Sequence, residues 1–153
     1  MSRWLLLLNE DVSTDDTAAA LRAAVPPPWR DLLLLGATRR WWPLASGVPI
    51  AYRAERGKAL RTIWTDQEAE WRERVDAVER RLKGDAERIE ARLVWGDRVD
   101  AAHQVARQDD VQMIVYPVAR DRALLGYWPG GSLWRLVRSA PCAVLLARIP
   151  QRA

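Results

Sequence analysis

The sequence predicts an α/β fold, a single-domain open five-stranded parallel sheet with helices on both faces, and two patterns carry that prediction. Short apolar runs recur at residues 4–8, 32–35, 113–115 and 143–146, with longer amphipathic stretches between them. Each run is continuous rather than alternating, as expected of strands covered on both faces. Residues 88–94 alternate instead, with Ile89, Ala91 and Leu93 set against Glu90 and Arg92. That pattern reads as a fifth, half-exposed strand near a sheet edge.

The helices fall between the strands. After the first run, Asp11, Ser13 and Thr14 offer capping oxygens, and Ala18, Leu21 and Ala24 form the apolar stripe of a short helix. Pro26, Pro27 and Pro28 terminate it. The longest helical pattern aligns Leu60, Trp64, Trp71, Val75, Val78 and Leu82, with Glu70, Glu73, Arg74 and Arg81 opposite and Gly84 as its stop. Residues 98–108 put Val99, Ala102 and Ala106 on one face, and Ser132 starts a last helix carrying Leu133, Leu136 and Val137 before Pro141. Alternating strands and helices imply right-handed crossovers and a parallel sheet. Ligands in such sheets bind beyond the carboxyl ends of the strands, where strand order reverses. Here those ends are residues 9–13, 36–40, 95–98 and 116–132, and residues 39–49 form one long irregular connection.

Composition narrows the chemistry. A chain of 153 residues with 49% hydrophobic and 29% charged residues supports one sizeable core and argues against disorder. The net charge of +4 is spread along the chain, which suits a mixed solvated surface better than a basic patch. With Cys142 the only cysteine, an internal disulfide and clustered thiolate metal sites are excluded, and Cys142 itself reads as a buried free thiol. His103, the only histidine, sits on a helix away from any loop nucleophile, so a packing or surface role is expected. Asp15, Asp16, Asp109 and Asp110 lie at helix boundaries, where carboxylates cap or face solvent. No residue set points to catalysis. The first apolar run is too short for a signal peptide or a membrane span, and a cytoplasmic location is expected.

Several spaced motifs fall together in the second half: Val94-Trp95-Gly96-Asp97, an eleven-residue helix, the strand around Met113-Ile114-Val115, then Gly131-Ser132 leading to Ala140-Pro141-Cys142 and Ala143-Val144-Leu145-Leu146. This order and spacing resembles the C-terminal half of universal stress proteins, whose sheet belongs to the adenine nucleotide alpha hydrolase-like group. Nucleotide-binding members of that family carry Gly-x-x-Gly, nine residues, then Gly followed by Ser or Thr. At the matching positions this chain has Val118 and Asp121 in place of the first two glycines and keeps Gly131 and Ser132. A β-branched residue where φ needs to be positive and a carboxylate beside a triphosphate both oppose ATP. No cofactor is therefore expected.

The resemblance leaves a candidate nucleotide or anion site made of Asn9 or Asp11 at the first strand end, Arg120, Gly130, Gly131 and Ser132. Arg122 stands nearby. The favoured alternative is that Ser132 is an N-cap, the glycines make the turn, and Asn9 and Asp11 satisfy backbone groups. Family dimers commonly join through the last strand, so Ala143 to Ile149 is the expected homodimer seam. Trp41-Trp42-Pro43 beside Arg39-Arg40 offers a possible contact surface, which opens a further reading as an adaptor of a membrane transporter. The expectation that ranks first is a non-catalytic stress-response regulator acting through dimerisation and partner contacts.

Overall fold

The computed structural model describes residues 2–38, 50–119 and 131–150, with the backbone alone for residues 38 and 50–65. Five parallel strands, β1 (Arg3–Leu7), β2 (Trp29–Thr38), β3 (Ala86–Trp95), β4 (Met113–Val118) and β5 (Ala143–Arg148), form one sheet in the order β3-β2-β1-β4-β5. Four helices connect them: α1 (Thr14–Ala24), α2 (Ile50–Leu82), α3 (Arg98–Gln108) and α4 (Ser132–Arg138). Strand order therefore reverses between β1 and β4, which places the switch-point crevice at Asn9 and the end of β4.

The leucine runs are continuous because alternate residues feed two cores. Leu5, Leu7, Leu33 and Leu35 pack with Val99, Ala102, Val105 and Ala106 of α3 and with Leu133 and Leu136 of α4. Leu6, Leu8, Leu32 and Leu34 pack on the other side with Ala18 and Leu21 of α1 and Trp71, Val75, Val78 and Leu82 of α2. Helices thus cover both faces. Gly36 in β2 is a point of close approach: a Cβ there would lie 3.2 Å from the Trp71 ring, from Val75 and from Leu93. The absence of a side chain lets α2 settle onto the sheet.

Most element readings hold, with differences at the ends. Ser13 caps α1, accepting from the Asp16 N–H at 3.1 Å, and Asp97 caps α3, accepting from the Val99 and Asp100 N–H groups. Gly84, with φ +96°, follows α2, as a helix-terminating glycine should. Strand β2 is longer than its apolar run, because its backbone pairs with β3 from Trp29↔Ala86 through Thr38↔Trp95. Helix α2 starts at Ile50, upstream of the Leu60 stripe, and the side chains of Leu60 and Trp64 lie outside the description. Strand β3 is indeed an edge strand, but Ala91 is exposed while Ile89 and Leu93 pack inward. Val137, expected in the apolar stripe of α4, is 45% exposed because this short helix buries only Leu133 and Leu136.

Glu90, Arg92 and Asp109, read from the sequence as outward-facing or capping, instead join a network under the sheet. Arg3, at the start of β1, bonds Asp31 at 3.0 Å, Asp109 at 2.7 Å and Glu90 at 2.6 Å. Arg92 bonds Glu90 at 2.7 Å and the same Asp109 at 2.6 Å. Asp109, the C-cap of α3, is thus an internal counter-ion. The network lines a polar cleft of about 450 Å³. Hydrogen bonds from Arg92 hold the Glu90 and Asp109 carboxyls below the usual carboxylate range against the opposing effect of burial.

Candidate functional site at the sheet switch point

The β1–α1 connection is an Asx turn. The Asn9 carbonyl accepts from the Val12 N–H at 3.1 Å, and its side-chain Oδ1 accepts from the Asp11 N–H at 3.1 Å. The Asn9 amide nitrogen donates across the strand-order reversal to the Pro117 carbonyl of β4 at 3.2 Å. Asn9 is 8% exposed, and it staples the two strands that diverge here.

Arg98, the first residue of α3, reaches into the same place. Its Nη1 donates to the Tyr116 hydroxyl at 2.6 Å and to Asn9 Oδ1 at 3.3 Å, and its Nη2 lies 3.4 Å from Glu10 Oε1. The guanidinium carbon stands 5.9 Å from the Tyr116 ring centre. Burial raises the Tyr116 phenol pKa, with Arg98 acting in the opposite direction, so the hydroxyl is neutral at physiological pH. From the other face of the sheet, Arg74 donates to the Glu10 carbonyl at 2.8 Å while stacking over Trp71 at 5.4 Å. Glu10 is therefore held between α2 and α3.

Of the sequence-predicted site residues, Asn9 is brought to the crevice and Asp11 is exposed in its turn. Arg120, Gly130, Asp121, Arg122 and the Trp41-Trp42-Pro43 patch lie outside the described residues. Gly131 rather than Ser132 caps α4; Ser132 is the first helical residue and is exposed, and the cap makes no side-chain hydrogen bond. A glycine cap lacks the oxygen that would accept from the first turn. Val118 is the last residue of β4, 5% exposed and paired with Arg148, so it completes a strand and a core. Its backbone is not in the positive-φ region, where Asp110 is the non-glycine residue among those described.

The α3 amides that would face an anion are engaged by Asp97, which also pairs with Arg135 at 3.0 Å. Arg98 was missed by sequence reasoning, yet a signal existed. A cation at the first turn of a helix opposes the helix dipole, and that local conflict marks a residue placed for another purpose. His103 and Cys142 take packing roles: His103 is buried and donates from Nε2 to the Leu136 carbonyl at 3.0 Å, and burial raises the half-buried Cys142 thiol pKa. Among the described residues no group of metal-ligating side chains converges.

The family model for the universal stress protein family matches residues 44–148. The chain belongs to the universal stress protein family. Solved structures agree in fold. The hypothetical protein MJ0577 superposes with a TM-score of 0.70 at 12% identity, covering 99% of both chains. The universal stress protein UspA from Lactobacillus plantarum gives 0.60 at 18% identity, covering 96% of this chain and 97% of that one. The universal stress protein from Archaeoglobus fulgidus, solved in complex with dAMP, gives 0.54 at 11% identity, covering 96% and 97%. No curated protein matches this chain.

Proposed function

We propose that this universal stress protein is a non-catalytic cytoplasmic regulator of the stress response that acts as a homodimer and makes no use of ATP. The observation carrying this reading is the mutual engagement of Asn9, Arg98, Tyr116 and Glu10 at the switch point, together with Val118 serving as a buried strand end. Isothermal calorimetry with ATP and Mg²⁺ tests it; binding tighter than roughly 10 μM overturns it.

The two sheet edges support the dimer. Strand β3 carries Glu87, Arg88, Glu90 and Arg92, the charges that guard an edge against pairing. Strand β5 carries Ala143, Val144, Leu145 and Leu146, which invites pairing. Light scattering at high micromolar concentration is expected to give twice the chain mass, and a monomer overturns the seam. Ala143 is exposed in the single chain, so Ala143→Lys leaves the fold intact and weakens the dimer by about 10-fold, roughly 1.4 kcal/mol.

A second reading, a nucleotide switch, draws on the dAMP complex of the Archaeoglobus fulgidus protein. A monophosphate makes smaller demands on a glycine loop than a triphosphate does. The same calorimetry with dAMP separates the readings, since micromolar binding of dAMP favours the switch.

A further inference from the structure

Helix α2 is longer than the surface it packs on. Its 33 residues span about 50 Å at the usual rise per residue. The buried positions among those described begin at Trp71 and continue through Val75, Val78 and Leu82, while Asp66, Ala69 and Glu70 just before them are exposed. Trp71 lies beside Gly36, and β2 ends soon after at Thr38. The helix from Ile50 to Glu70 measures about 31 Å, and the strand beyond Gly36 reaches only about 7 Å further. The charge of the helix divides near the same place. Ile50 to Trp64 holds Arg53, Arg56, Lys58 and Arg61 against Glu55 alone, a net +3, whereas Thr65 to Leu82 holds four arginines against six acids, a net −2. The first half thus carries most of the chain's net charge of +4. Its first turn has no acid, although a helix N-terminus favours one. By helical spacing Tyr52, Leu60, Ile63 and Trp64 fall on one side with Arg53 and Arg56 among them, and Glu55, Lys58 and Thr62 fall on the opposite side.

We infer that the N-terminal half of α2, from Ile50 to Trp64, is a docking surface for an anionic lipid bilayer, with the helix lying along the membrane plane. The attraction to anionic headgroups adds over four cations and is opposed by one acid. Arginine and lysine stems lie along apolar surface while their charged ends reach the headgroups. Tyrosine and tryptophan favour the same boundary, and Leu60 and Ile63 supply the apolar area that an interfacial helix buries. A stretch this rich in cations lies on a bilayer rather than across it. Repulsion of Asp66, Glu68 and Glu70 by the headgroups confines the contact to the first half of the helix. The inference goes beyond the proposed function, and its failure would leave that reading standing.

The test is co-sedimentation of the full chain with vesicles of phosphatidylcholine alone and of phosphatidylcholine mixed in equal parts with phosphatidylglycerol. Binding is expected to the mixed vesicles only, and it should weaken about 10-fold or more as salt rises from about 0.05 M to about 0.5 M. Arg53→Gln combined with Arg56→Gln is expected to weaken it about 30-fold, and Ile63→Ser about 5-fold. Arg72→Gln combined with Arg80→Gln makes the same change in net charge at exposed positions on the second half of α2 and is expected to leave binding unchanged, which separates position from total charge. Equal binding to both kinds of vesicle, binding to neither, or unchanged affinity in the Arg53 and Arg56 double variant overturns the inference. Tighter binding to duplex DNA than to the mixed vesicles at the same salt also overturns it and assigns the basic half-helix to nucleic acid. Thermal unfolding checks that each variant is folded. If the double variant is not, Arg53→Gln and Arg56→Gln are tested singly, each expected to weaken binding about 5-fold.

Discussion

At Gly36 the decisive property is the space a side chain would take. The Trp71 ring, Val75 and Leu93 already surround the position at 3.2 Å from any added Cβ. Gly36→Ala is expected to destabilise by about 1–3 kcal/mol in urea unfolding, the cost of overpacking a filled core, with unchanged slope. Asn9 shows how far single residues were legible. The sequence supports its role in a turn, since asparagine after a strand commonly bonds backbone two residues on. Its second bond, to Pro117, was not legible, because that partner is brought near only by the placement of β4 beside β1. Arg98 was hidden for the same reason. Its partners Asn9, Glu10 and Tyr116 come from separate elements, and no spacing along the chain brings them together.

Helices and strands were legible wherever side-chain burial defines them, and less so where backbone pairing does. Helix α3 occupies the bounds its Val99, Ala102 and Ala106 stripe marks, since both termini carry local signals. Strand β2 runs past its leucines because Asp31, Gly36 and Thr38 pair through backbone groups that every residue carries. Helix α4 is the least secured element. It buries Leu133 and Leu136 and exposes Trp134 at 37%, with Arg138 over the indole at 5.8 Å. The His103 bond to the Leu136 carbonyl is a fixed tie from α3 to this helix. His103→Leu leaves that carbonyl without its donor, and a loss of about 1–3 kcal/mol is expected. Hydrogen exchange is expected to speed up in α4 while β1 and β2 keep their protection.

Across the whole molecule, the ion network beneath the sheet couples β1, β2, β3 and the end of α3. Glu90 and Asp109 have folded pKa values below their unfolded ones, so their contribution is fully present above the unfolded range of about 4. It is lost as pH falls through the lower, folded values. Urea midpoints should therefore drop progressively below about pH 4. Arg92→Gln is expected to cost about 1–2 kcal/mol at pH 7. The gap between variant and wild type should narrow toward pH 3, and a gap of constant size would refute the network's role. The sequence placed Glu90 and Arg92 on the outward side of an edge strand, and they are partly covered because Arg3 and Asp109 close over them.

The unequal edges of the sheet also set a limit on growth. A parallel sheet with two apolar edges adds copies at both ends and has no stopping point, which is the route to filaments. A sheet with charge along β3 and apolar residues along β5 has one adhesive side, and pairing through it about a two-fold axis uses that side up. In the proposed dimer, charge on a strand far from the seam thus acts as a terminator. Replacing the exposed Glu87 and Arg88 with valine would remove the stop, and a chain made to high level in a cell would then be exposed to runaway polymerisation.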